Sequence, residues 1–218
     1  TVRDLSALIR AHSPSLVFLC ETRQSKEKMY HLRNRLGLRG FEGVSSSGNS
    51  GGLALFWNES IHVDVEDMNK RWIDLYVRVS PDSPLWRVTF VYGEPRFENR
   101  HLMSDGLRRL RSKNDTPWLI MGDFKEVQWD FQHLSATPRA PSQMLAFRDM
   151  LDTCGLADLG FSGYPYTYDN GRSGNANVQV RLDRAVVDLG WRNIFSDAAV
   201  QHLVSPCSDH WPILVLCV

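Results

Sequence analysis

Short apolar runs, each bordered by an acidic residue, limit what this chain can fold into. Glu21 follows Leu16-Val17-Phe18-Leu19-Cys20, and Asp123 follows Trp118-Leu119-Ile120-Met121-Gly122. Asp183 precedes Ala185-Val186-Val187, and Asp209 precedes the run from Trp211 to Val218. Runs of this length read as buried strands, and polar groups at their ends can converge on one rim of a sheet. Carboxylates and a histidine on such a rim suit a divalent metal and phosphate chemistry. Taken singly, an acidic residue at a strand end is more often a turn or cap residue.

The 218 residues, 43% hydrophobic and 11% aromatic, can build a substantial core, and one domain spanning 1–218 is the expectation. Lys+Arg and Asp+Glu are both 25, so net charge supplies no strong long-range pull on nucleic acid. Arg33, Arg35 and Arg39 form one basic cluster and Arg108, Arg109, Arg111 and Lys113 another, the usual composition of a solvated helix face. Cys20, Cys154, Cys207 and Cys217 lack paired metal-ligand spacing and read as reduced structural thiols. No stretch approaches the roughly 18 apolar residues of a membrane span, and the start has no signal-peptide pattern. An intracellular protein is expected, nuclear if it acts on genomic DNA.

Val2, Leu5, Leu8 and Ile9 recur at helical spacing before the break at Ser13-Pro14 and the strand 16–20. A second helix is expected over 25–36, stopped near Gly37. The Ser/Gly loop 45–52 lacks the lysine and following helix of a phosphate-binding P-loop, and it is given no catalytic role. Residues 53–57, 61–65, 72–79 and 85–92 read as a meander of strands. A helix follows from Asn99, then the strand 118–122, then a helix with Ser142 as N-cap and Gly155 as its stop. Short strands alternate with loops to the end, which together indicates a layered α/β domain.

Glu21 and Asp209 are the candidate ligands for Mg²⁺, an ion commonly held by one or two carboxylates plus water and phosphate. His210, at the mouth of an apolar run, can donate to a phosphoryl oxygen or shuttle a proton if a carboxylate such as Asp183 fixes its tautomer. Asp123, after Gly122, can orient or deprotonate an attacking water. Tyr92 can offer its phenol to a phosphate, although a tyrosine at a core edge is the commoner use.

In their order and spacing, several blocks resemble the endonuclease/exonuclease/phosphatase superfamily, and within it the apurinic-type endonuclease domain of plant LINE-type (non-LTR) retrotransposons. These blocks include Leu19-Cys20-Glu21-Thr22-Arg23, Gly51-Gly52-Leu53, Val91-Tyr92-Gly93, Met121-Gly122-Asp123-Phe124, residues 154–161 and 163–168, Arg181-Leu182-Asp183-Arg184 and Ser208-Asp209-His210-Trp211-Pro212. The resemblance implies a four-layer, deoxyribonuclease-I-like α/β sandwich of two mixed sheets flanked by helices. It also implies cleavage of DNA phosphodiester bonds with Mg²⁺, or Mn²⁺, as cofactor. By that similarity Glu21 binds metal with Asp209 close by, Tyr92 contacts the scissile phosphate, Asp123 aligns water, and Asp183 pairs with His210 on the phosphate.

Two departures lead to an expectation of impaired activity. The superfamily's first strand, ending in an asparagine, has no counterpart after Thr1. Its loss would expose the edge of strand 16–20 and favour self-association. The family's Gly-Asp-Phe-Asn block reads Gly122-Asp123-Phe124-Lys125 here, which puts a donor-only cation in place of an amide. Lys125 can still contact a phosphate. Two other readings are a silent domain binding DNA through salt-dependent Lys and Arg contacts, and a phosphatase for a small phosphorylated molecule.

Overall fold

In the computed structural model, which describes residues 2–48, 50–204 and 208–217, the chain opens with helix α1 (Val2–His12) and strand β1 (Leu16–Cys20). Helix α2 (Lys26–Leu36) follows, then β2 (Gly40–Val44), β3 (Leu53–Trp57), β4 (His62–Met68), β5 (Trp72–Arg78) and β6 (Trp86–Tyr92). Ser25 caps α2 by accepting the Lys28 N–H, and Gly37 ends it in the left-handed region at φ 71°. The chain divides into two compact units, and the division falls inside β6, between Phe90 and Val91.

In the first unit β1, β3 and β2 form an antiparallel sheet in that order, which leaves β1 at an edge among the described residues. Its core gathers Met29, Leu36 and Leu38 with Ala54 and Phe56, and Leu5, Ile9, Val17 and Leu19 pack around them. Strand β2 is missing from the sequence expectation because Gly40 and Gly43 weaken its strand signal. A Cβ at Gly40 would sit 1.9 Å from the Trp57 ring, so that glycine is what lets the indole cover the strand. Strands β4, β5 and β6 are neighbours in that order. β5 and β6 bury Asp74 against Arg87, whose Nε and Nη2 donate to the carboxylate at 2.9 and 2.7 Å, and the Thr89 hydroxyl adds a third bond at 2.6 Å.

The second unit adds α3 (Arg100–Arg111), β7 (Trp118–Asp123), β8 (His133–Leu134), α4 (Pro141–Cys154), β9 (Ala157–Asp158) and β10 (Tyr168–Asp169). β11 (Gln179–Val180), β12 (Asp183–Val187), α5 (Leu189–Ile194), β13 (Ala199–His202) and β14 (Ile213–Leu216) complete it. Strands β7, β12 and β9 are neighbours, as are β10, β11 and β8, and β13 pairs with β14. Helix α4 begins earlier than expected. Its N-cap is Ala140, and Pro141 takes the first turn, where its missing N–H costs nothing. Helix α5 lies where only strands and loops were expected, and Asp188 caps it by accepting the Trp191 N–H at 2.8 Å.

Among the described residues Cys20, Cys154 and Cys217 are in no disulfide, and Cys207 lies outside them. Among the described residues no helix is long and apolar enough to cross a membrane.

Candidate active site

Strands β7 and β12 run antiparallel in a register that sets Asp183 directly opposite Asp123. Like charges facing each other across a ladder repel, so the pair needs compensation. Two cations supply it. His210 Nδ1 lies 2.8 Å from Asp183 Oδ2, and its Nε2 lies 3.8 Å from Asp123 Oδ2. Lys125 Nζ lies 2.6 Å from Asp123 Oδ2, while the Lys125 backbone N–H donates to Oδ1 at 2.9 Å. Asp123 is nearly sealed, its side chain 2% exposed, so these charges act with little screening from solvent.

Thr167 ties the two halves of the dyad together. Its hydroxyl accepts the backbone N–H groups of Leu182 and Asp183 at 3.0 and 2.9 Å, and its carbonyl accepts the Trp211 N–H at 2.7 Å. The Tyr168 ring packs on the His210 imidazole, with centroids 5.1 Å apart, and the Asp169 N–H donates to the Asp209 carbonyl at 3.0 Å. Thr167 carried no sequence signal beyond its place in the Tyr-Thr-Tyr block.

Burial alone would lower the His210 pKa, but the charge and hydrogen bond of Asp183, with Asp123 behind them, raise it to about 9. At neutral pH the ring is therefore an imidazolium, with Nδ1 donating to Asp183 and the Nε2 proton on the side of Asp123. A histidine whose folded value exceeds its ordinary 6.5 contributes stability that is complete below pH 6.5 and lost as the pH climbs through 9. Melting temperatures between pH 6 and 10 should fall more steeply for the unaltered protein than for His210→Ala, with a difference at low pH of roughly 3 kcal/mol at most. Parallel curves would remove the charged dyad. Burial and then the Asp183 charge raise Asp123 above the usual carboxylate range, and Lys125 and His210 oppose them.

Tyr92 ends β6 and is buried, with Lys125 Nζ 5.3 Å from its ring centroid. Asp209 is exposed, and its carboxylate is not part of the Asp123–Asp183–His210 cluster. Glu21 belongs to the first unit, in a left-handed turn after β1 at φ 52°, and forms an ion pair with Arg23 at 3.7 Å. That turn is held by the Thr22 and Arg23 N–H groups donating to the carbonyls of Gly52 and Gly51 at 3.2 and 3.0 Å. A Cβ at Gly52 would lie 2.4 Å from Thr22 Oγ1. The second half of the Ser/Gly loop thus has a positioning role that its sequence did not disclose.

Asp123, Asp183 and His210 each offer a ligand atom, all within 4.8 Å of one another, and make the group best placed among the described residues to hold a metal ion. As the side chains stand, the donor set does not fit a divalent ion. Both oxygens of Asp123 accept from Lys125, and an imidazolium has no lone pair to give.

Comparison with known proteins follows the same lines. The family model described as "Endonuclease/Exonuclease/phosphatase family" matches residues 1–210. The AP endonuclease LMAP from Leishmania major superposes with a TM-score of 0.73 at 18% identity, over 96% of this chain and 80% of that one. The endonuclease domain of TRAS1, a telomere-specific non-LTR retrotransposon, gives 0.70 at 15% identity, over 98% and 90%. The 3′ phosphatase NExo from Neisseria, bound to a product DNA hairpin, gives 0.70 at 18% identity, over 100% and 94%. These likenesses support the expected α/β fold class. Curated protein sequences give no match. With 210 residues under one family model and a charged dyad set across from a buried aspartate, the chain belongs to the Endonuclease/Exonuclease/phosphatase family.

Proposed function

We propose that this chain is a DNA phosphodiesterase domain of LINE-type retrotransposon descent, dependent on Mg²⁺ and slowed by Lys125. The observation that carries the reading is the Asp183–His210 pair, 2.8 Å apart, facing Asp123 across the ladder. The family match and likenesses to a retrotransposon endonuclease domain and a DNA-bound phosphatase support it. Descent from plant elements in particular rests on the sequence blocks alone.

In this reading His210 directs a charged N–H at a phosphoryl oxygen as negative charge grows there, and Asp183 holds the ring in place. Asp123 takes a proton from water, and Tyr92 and Lys125 are the further phosphate contacts. Glu21 and Asp209 are the proposed holders of Mg²⁺, which when bound would supply charge neutralisation at the phosphate. Asp123 can act as a base only when Lys125 releases it, and that is the source of the proposed impairment. The ion pair equally favours a second reading, a domain that binds DNA without cutting it.

Supercoiled plasmid with Mg²⁺ separates the two. Slow nicking is expected from the unaltered chain, with a gain of at least about tenfold in Lys125→Asn, given that a freed general base contributes roughly 10²–10⁴. Glu21→Gln and His210→Ala should abolish what nicking there is. Fast nicking by the unaltered chain would refute the impairment. Nicking indifferent to His210→Ala would refute the site. No nicking by any variant, with salt-sensitive DNA retention, would favour the silent domain. Self-association through β1 is part of the same proposal, and light scattering should report a dimer or larger species.

A further inference from the structure

We propose that Lys125 is a tethered cation that closes the Asp123–Asp183–His210 cluster to divalent ions. The inference deepens the reading of this site, but its test reads ion occupancy rather than cleavage.

One residue takes both oxygens of Asp123, Nζ at 2.6 Å from Oδ2 and the backbone N–H at 2.9 Å from Oδ1. The contact is sheltered, with the lysine side chain 15% and the aspartate side chain 2% exposed, so bulk salt screens it weakly. Lys125 adopts φ 56°, a left-handed conformation uncommon for a residue with a Cβ, and this turn lets its own N–H and its ammonium reach the same carboxylate. The Tyr92 ring, 5.3 Å from Nζ, adds a cation–π contact.

The backbone beneath is pinned as well. The Gly93 N–H donates to the Asp123 carbonyl at 2.6 Å, and a Cβ on Gly93 would come within 2.3 Å of the Phe124 carbonyl oxygen. Lys125 is therefore held at its partner rather than searching for it. An attached cation competes at an effective concentration of millimolar or more, whereas a free ion must shed water and pay for its own immobilisation.

Mn²⁺, followed by electron paramagnetic resonance, is the probe. In the unaltered chain, Asp123→Asn should change Mn²⁺ affinity less than twofold, because Asp123 is not available to the ion. Lys125→Asn should gain one Mn²⁺ equivalent, or bind at least tenfold tighter, and Asp123→Asn added to it should remove the gain. Lys125→Gln stands in if the asparagine variant folds poorly. In ¹⁵N NMR of the unaltered chain, a slowly exchanging Lys125 ammonium signal is expected, and it should persist through millimolar Mg²⁺.

A Mn²⁺ equivalent lost from the unaltered chain on Asp123→Asn would overturn the proposal. So would an unchanged Mn²⁺ stoichiometry and affinity in both Lys125 variants. The gain in Lys125→Asn without any nicking would count against the proposed function while leaving this inference standing.

Discussion

Gly122→Ala, a change of one methyl group, is expected to remove a large share of the domain's stability. Gly122 sits at φ 133°, a region that L residues rarely enter, and a Cβ built there would lie 2.3 Å from the Val91 carbonyl oxygen and 3.1 Å from its nitrogen. Both atoms are backbone, so no side chain can swing aside. Backbone strain of about 1–3 kcal/mol adds to a comparable overpacking cost. The sum is a large share of the roughly 5–15 kcal/mol that holds a domain together. Gly171→Ala is the matching control. It also has a positive φ, 65°, but meets nothing within 4 Å, so roughly 1 kcal/mol is expected there. Urea unfolding of the two variants tests the contrast, and equal midpoints would show that the strand carrying Asp123 yields easily.

Asp74→Ala is expected to cost about 3–5 kcal/mol, because it strands a guanidinium in the interior. Asp74 and Thr89 are 0% and Arg87 is 1% exposed, and the carboxylate accepts from both partners. The comparison that isolates the cause is the double change Asp74→Leu with Arg87→Met, which removes both charges and should recover most of the loss. If Asp74→Ala moved the urea midpoint by no more than a surface substitution does, the interior would be admitting water to Arg87.

The sequence was readable at some polar positions and not at others. The acidic residues were found because they border apolar runs, and three of the four do flank strands: Glu21 after β1, Asp123 closing β7 and Asp183 opening β12. Their register was not readable. Asp123 and Asp183 face each other across strands far apart in the chain, and nothing local to either segment selects that alignment. Asp74 in the middle of Trp72-Ile73-Asp74-Leu75 looks like a flaw in a strand until Arg87 is seen beside it.

Lys125 shows the limit most plainly. Its chemistry, a donor without acceptor capacity, is evident from the letter alone. Its choice of Asp123 depends on a left-handed turn at φ 56° that sequence favours only when the residue is glycine or asparagine. Strand β2 was missed for a related reason, since glycine tells of permissiveness and not of the tryptophan ring that exploits it.

Residues 167–169 behave as a jig. Thr167 grips the segment bearing Asp183 on one side and the segment bearing His210 on the other, and Asp169 adds a second hold at Asp209. The loop that follows closes on itself: Asn170 Oδ1 accepts the N–H groups of Arg172 and Val178, both at 3.1 Å, and its amide donates to the Ala176 carbonyl at 2.9 Å. Tolerance of length change should therefore break sharply at one point in the chain. Residues inserted between Gly171 and Ala176 lengthen a self-contained loop and leave the distance between the histidine and its carboxylate alone. A single residue inserted between Thr167 and Asp169 shifts the Thr167 grip against the hold at Asp209, next to the histidine, and is expected to weaken the Asp183–His210 pairing.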